Sequence, residues 1–119
     1  VVYTHHYGDL NIDHQLTHNA VITACRPVPN FSVCEIYGFE VLSSTEWSNS
    51  QKSIFRPTFY NDITKHISKK ISAAKAYQEE MRDPPHSRSI KHIEILAQHR
   101  GYSIGVDMAE AFEVYRLLK

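Results

Sequence analysis

The stretch Val1-Val2-Tyr3-Thr4-His5-His6-Tyr7-Gly8-Asp9-Leu10-Asn11-Ile12-Asp13-His14 decides how the chain is read. Val1 to Thr4 are β-branched and aromatic, the composition of a strand. His5 to Asn11 form a polar loop with one glycine, and Asp13 is a good N-cap for a helix that follows. A strand end that passes through a polar loop into a helix is where open α/β sheets build their sites.

Outward from there, Leu16, Ala20, Ile22 and Ala24 supply apolar positions to a first helix, which Pro27 and Pro29 end. Ser32 to Leu42 is rich in β formers and predicts a strand, bent at Gly38. Residues 43–57 are polar and turn-like around Trp47. After Asn61-Asp62, the stripe Ile63, Ile67, Ile71, Ala74, Tyr77 predicts a long helix that stops before Pro84-Pro85. Ser87 or Ser89 caps a third helix carrying Ile90, Ile93, Leu96 and Ala97 and ending near Gly101. Ala109 to Leu118 fits a helix or a strand. The order of elements indicates α/β layers. Two or three strands make a poor parallel sheet, which is covered on both faces, so residues 1–119 read as part of a single domain.

Composition narrows the function classes. Lys and Arg number thirteen, as do Asp and Glu, and the zero net charge argues against nucleic acid as the partner. No apolar run approaches the length needed to cross a bilayer, so no membrane partner is expected. Two cysteines without a CxxC pair predict reduced thiols and a cytoplasmic location. Eight histidines are the unusual entry, and His5, His6, His14, His18 and His86 are the ones that could converge on one site.

A carboxylate beside an imidazole can orient the ring toward a Lewis-acid metal. His14 and His18 are four residues apart on the predicted helix and share a face, but the glutamate of an HExxH pair is absent. Asp13-His14 alone is more often a capping aspartate followed by a surface histidine. Arg88 could hold a sugar hydroxyl, phosphate or carboxylate through its planar fork, or simply stand next to a helix start. His86 either lines the same pocket or lies on the surface. Trp47 either places an aromatic face under a sugar ring or is buried.

Taken together, the segment 3–14 resembles the second signature of the PIG-L/LmbE-like deacetylases, a strand-end loop closing with Asp-His. The resemblance continues in order through Ala24-Cys25-Arg26-Pro27, Ser43-Ser44-Thr45-Glu46-Trp47, Phe59-Tyr60-Asn61-Asp62-Ile63, Glu80-Met81-Arg82, Pro85-His86-Ser87-Arg88-Ser89, Ala97-Gln98-His99-Arg100-Gly101 and Ala109-Glu110-Ala111-Phe112. It implies a Rossmann-like (LmbE-like) α/β layered fold, of which this chain is the C-terminal portion. It also implies one zinc ion, and removal of an acetyl group from an N-acetylglucosaminyl or related amino-sugar substrate. On the family's pattern His14 is a zinc ligand and Asp13 orients a catalytic imidazole. Asn11 stands where many members carry the histidine that polarises the carbonyl, which leaves that role to His5 or His6.

The family's first signature, an Ala-His-Pro-Asp-Asp-Glu-like segment with two zinc ligands and the general base, does not occur in these residues. A catalytic zinc site takes three protein ligands and an open position. The remaining ligands are therefore expected from a missing N-terminal half, and the chain alone is expected to be inactive. An uncovered strand at Val1 to Thr4 predicts oligomerisation or association with that half. Two other readings remain open: a non-catalytic carbohydrate-binding module on the same fold, and a self-contained metal site of His5, His6, His14 and His18.

Overall fold

The computed structural model describes residues 1–30, 33–49 and 53–119. Three helices and four strands alternate in the order β1 (Val2–His5), α1 (Ile12–Ala24), β2 (Glu35–Phe39), β3 (Phe59–Asp62), α2 (Ile67–Ala76), α3 (Ile90–Tyr102) and β4 (Ala109–Leu117). The sheet is mixed, with strand order β1-β2-β4-β3. β1 and β2 are parallel and joined through α1, the crossover that parallel neighbours require. β2 and β4 are antiparallel, with an irregularity between Ile36 and Tyr37. Among the described residues no helix is long and apolar enough to cross a membrane.

The chain divides into two units, residues 1–59 with 112–119, and residues 60–111. In the first, β1, β2 and β4 carry an aromatic layer. Tyr3 packs against Tyr37 and Phe112 with centroids 5.5 and 5.3 Å away, and Tyr37 stacks on Phe59 at 4.8 Å. Ile36 is almost fully buried. α1 runs along β1, yet its one buried side chain is His18, while Ile12 and Leu16 are exposed. In the second unit α2 packs on α3, with Ile71, Ala97 and Ala109 buried.

Several sequence expectations are corrected. Asp13 is not the cap of α1: the helix starts at Ile12, the cap position is the extended Asn11, and Asp13 falls in the first turn. The helix expected from Asn61-Asp62 gives way to β3, because the Ile63 amide donates to the Met108 carbonyl (3.0 Å) and the Thr64 amide to Asp62 Oδ1 (2.9 Å). Those bonds commit the segment to a strand end and a turn, and α2 starts only at Ile67. Tyr77, the last residue of the apolar stripe, is the C-cap and is exposed. Of the strand expected over 32–42, residues 35–39 form it, and Ser32 lies outside the described residues. Ser89 caps α3, its hydroxyl accepting from the His92 amide at 3.2 Å, and the helix ends one residue past Gly101. The ambiguous tail is β4.

Gly38 is not a bend either. It sits inside β2, paired with Thr4 of β1 and Glu113 of β4. A Cβ there would lie 2.4 to 2.6 Å from the hydroxyl and ring of Tyr115, closer than real side chains approach. The glycine is required because the Tyr115 ring occupies that space. Gly38→Ala is therefore expected to cost about 1–3 kcal/mol in urea unfolding, as over-packing does. In a Tyr115→Ala background, where the opposing ring is gone, the cost of Gly38→Ala should fall to less than half of that.

Candidate active site at the end of strand β1

Two adjacent histidines leave β1 toward different surroundings. His5, the last residue of the strand, packs on Phe39 with centroids 4.8 Å apart and stacks on His14 of α1 at 4.0 Å, interplanar angle 21°. His6 is fully buried. Its Nδ1 is 2.7 Å from Glu113 Oε2 and its Nε2 is 2.5 Å from the Ser53 carbonyl oxygen. Gly8 permits that seat, since a Cβ on it would fall 2.2 Å from the Ser53 Cβ.

Glu113 gathers three donors. Oε1 accepts from the Arg56 amide at 2.7 Å; Oε2 faces His6 and accepts from the Tyr115 hydroxyl at 2.8 Å. Burial, with the bond to Glu113, pushes the Tyr115 pKa up and keeps its hydroxyl a donor. With both ring nitrogens occupied in this network, His6 has none left for a substrate.

On the His5 side the central group is Asp9, whose side chain has no exposed surface. Its carboxylate accepts from the Ser44 hydroxyl, from the Thr45 hydroxyl at 2.9 Å and from the Asn11 amide at 3.0 Å. Burial opposes its ionisation, but these hydrogen bonds, with His14 nearby, outweigh burial and hold its pKa below the usual carboxylate value. Oδ1 of Asp9 lies 3.2 Å from His14 Nδ1, at ion-pair distance but off the axis of a hydrogen bond. The His5 pKa is lowered, by burial first and by the neighbouring His14 second, which favours a neutral ring. Nδ1 of His5 and Nδ1 of His14 are buried without a hydrogen-bond partner.

Asp13 is exposed on the first turn of α1. His18 is buried, its Nδ1 3.0 Å from the His5 carbonyl oxygen, with an edge-on contact to Tyr115. Among the described residues, His5, His6, His14 and His18 do not come together as a metal-ligand group. Trp47 is 51% exposed in the turn after β2. Arg88 and His86 belong to the second unit, where the Arg88 guanidinium is ion-paired with Glu80 and its amide donates to His86 Nδ1 at 3.0 Å. Asp9 was not among the sequence candidates. Its signal was the spacing Asp9-x-Asn11, an Asx-type turn in which the carboxylate caps the amide two residues on.

For a metal ion the fit is partial. Among the described residues no three His, Cys, Asp or Glu side chains form a ligand cluster. His14, with a buried carboxylate at one ring nitrogen, has the donor chemistry of a single ligand of a larger set. No protein-family model and no curated protein matches the chain.

The His6–Glu113 network ties β4 to the end of β1. Glu113→Gln replaces an oxygen that accepts by an amide that donates, and leaves the Arg56 amide, or His6 with Tyr115, facing another donor. The expected cost is about 1–3 kcal/mol in urea unfolding. A change below about 0.5 kcal/mol, the usual size for an unimportant surface substitution, would show that the network is not holding β4 to the end of β1.

Proposed function

We propose that the chain is the C-terminal portion of a zinc-dependent deacetylase domain, one that hydrolyses the N-acetyl group of an N-acetylglucosaminyl or related amino-sugar derivative. The observation that carries this reading is the pairing of His14 with the buried Asp9 carboxylate at a strand end, with His5 stacked alongside. The resemblance of segments 3–14, 43–47 and 85–89 to the PIG-L/LmbE-like deacetylases supports it from the sequence side. The parallel β1–α1–β2 unit is in keeping with a Rossmann-like arrangement.

In this reading His14 offers Nε2 to zinc, and the rest of the ligand set and the general base lie outside residues 1–119. Zinc, when bound, supplies Lewis-acid polarisation of the amide carbonyl and lowers the pKa of water. Between the two adjacent histidines, the polarising role falls to His5, since both nitrogens of His6 are engaged. A neutral His5 donates one hydrogen bond to the carbonyl oxygen as negative charge develops there. Asp13 orients the catalytic imidazole, and Trp47 holds the sugar.

In the full-length polypeptide carrying this chain, His14→Ala is expected to lose both zinc and acetate release from an N-acetylglucosaminyl substrate. Asp13→Asn should keep zinc and lose turnover about 10–100-fold. Zinc content near wild type in His14→Ala refutes the ligand assignment. The exposure of Trp47 favours one other reading, a carbohydrate-binding module without catalysis. In that case Trp47→Ala weakens sugar binding, while His14→Ala changes nothing.

A further inference from the structure

The geometry points to Asp9 as the positioning residue of this site: its carboxylate, fixed by the turn that follows β2, holds the His14 ring with Nδ1 inward and Nε2 presented to the metal. This rests on the reading of His14 as a zinc ligand.

The Asp9 side chain is fully buried and restrained from several directions. Ser44 and Thr45 donate to it from the segment after β2, and the Asn11 amide donates from its own loop. Its backbone is tied as well: the Asp9 amide donates to the His6 carbonyl at 3.2 Å, and the Asp9 carbonyl accepts from Gln15 Nε2 at 2.6 Å. A carboxylate so held cannot swing toward solvent, and the imidazole at ion-pair distance from its Oδ1, among the described residues, is His14, 3.2 Å away. That ring is restrained on its flat side by His5.

Contact with an acceptor-only carboxylate favours the tautomer with hydrogen on Nδ1, and that tautomer leaves the Nε2 lone pair for an ion. The two atoms stand 3.2 Å apart, at ion-pair distance, and His14 Nδ1 has no other partner to turn it away from Asp9. Asp13, although it precedes His14 in the chain, is exposed in the first helical turn, and the carboxylate beside the His14 ring is Asp9. The hydroxyls of Ser44 and Thr45 act one step further out, through Asp9.

The test uses the full-length polypeptide with histidine labelled by nitrogen-15. Long-range proton–nitrogen correlation in the metal-free protein, at a pH where His14 is neutral, reports its tautomer, and competition with a chelating dye reports zinc affinity. The expected result is hydrogen on Nδ1 in the wild type, a mixture of tautomers in Asp9→Asn, and zinc binding weakened about 10–100-fold in Asp9→Asn. Hydrogen on Nε2 of wild-type His14 overturns the inference without any variant, so failure of Asp9→Asn to fold does not shield it. Zinc affinity in Asp9→Asn within twofold of wild type, while His14→Ala no longer binds, overturns it and leaves the ligand reading standing. Unchanged zinc affinity in His14→Ala removes the ligand reading and this inference together.

Discussion

A missing side chain in the middle strand is the constraint from which the rest of the first unit follows. β2 lies between β1 and β4, and at Gly38 it has nothing to project. The Tyr115 ring fills that space and brings its hydroxyl to Glu113, which also receives His6 from the far side of β2. Two strands that do not touch as neighbours are thereby cross-linked through side chains. Each buried polar group in the link has a partner, which is what makes such burial tolerable. The end of β1 is pinned by this link, and the loop that leaves it inherits a fixed direction.

Asp9 is the next buried group along that loop. A carboxylate without solvent must find donors from protein, and here the donors are a backbone amide two residues on and two hydroxyls from the segment after β2. The adjacent histidines divide the work accordingly. His6 is occupied at both ring nitrogens and serves the fold, whereas His5 and His14 keep buried nitrogens with no hydrogen-bond partner. Unsatisfied polar atoms are scarce in folded proteins, and two of them in one stacked pair, beside a fixed carboxylate, mark the place where binding chemistry is best supported.

Periodicity and punctuation made much of the fold readable. The β-branched start, the prolines after Ala24, and the serine before Ile90 all mark local boundaries that hold because local forces set them. What failed was decided at long range. Asn61-Asp62 reads as a helix start, but the amide of Ile63 bonds to Met108, 45 residues away in sequence (108 − 63 = 45). Gly38 reads as a bend because only the fold reveals the tyrosine packed against it. For the site, the His14 region was visible from residue types, and the separation of His5 from His6 from the alternation of a strand. Asp9 was hidden, since neither Ser44 nor Thr45 lies near it in the chain, and a loop aspartate before a helix looks like any other turn residue.

The distance in sequence between Asp9 and its hydroxyl donors has a kinetic meaning. The separations are 35 and 36 residues, spanning α1, β2 and the connection between them. Loop-closure entropy has to be met before such contacts form, so they belong to the later events of folding, after β1 and β2 have found each other. Until then Asp9 is a solvated carboxylate and His14 a helix-surface imidazole. The site at the end of β1 is thus a product of the pairing of β1 with β2, and it exists only while the turn at residues 42–47 stays in place.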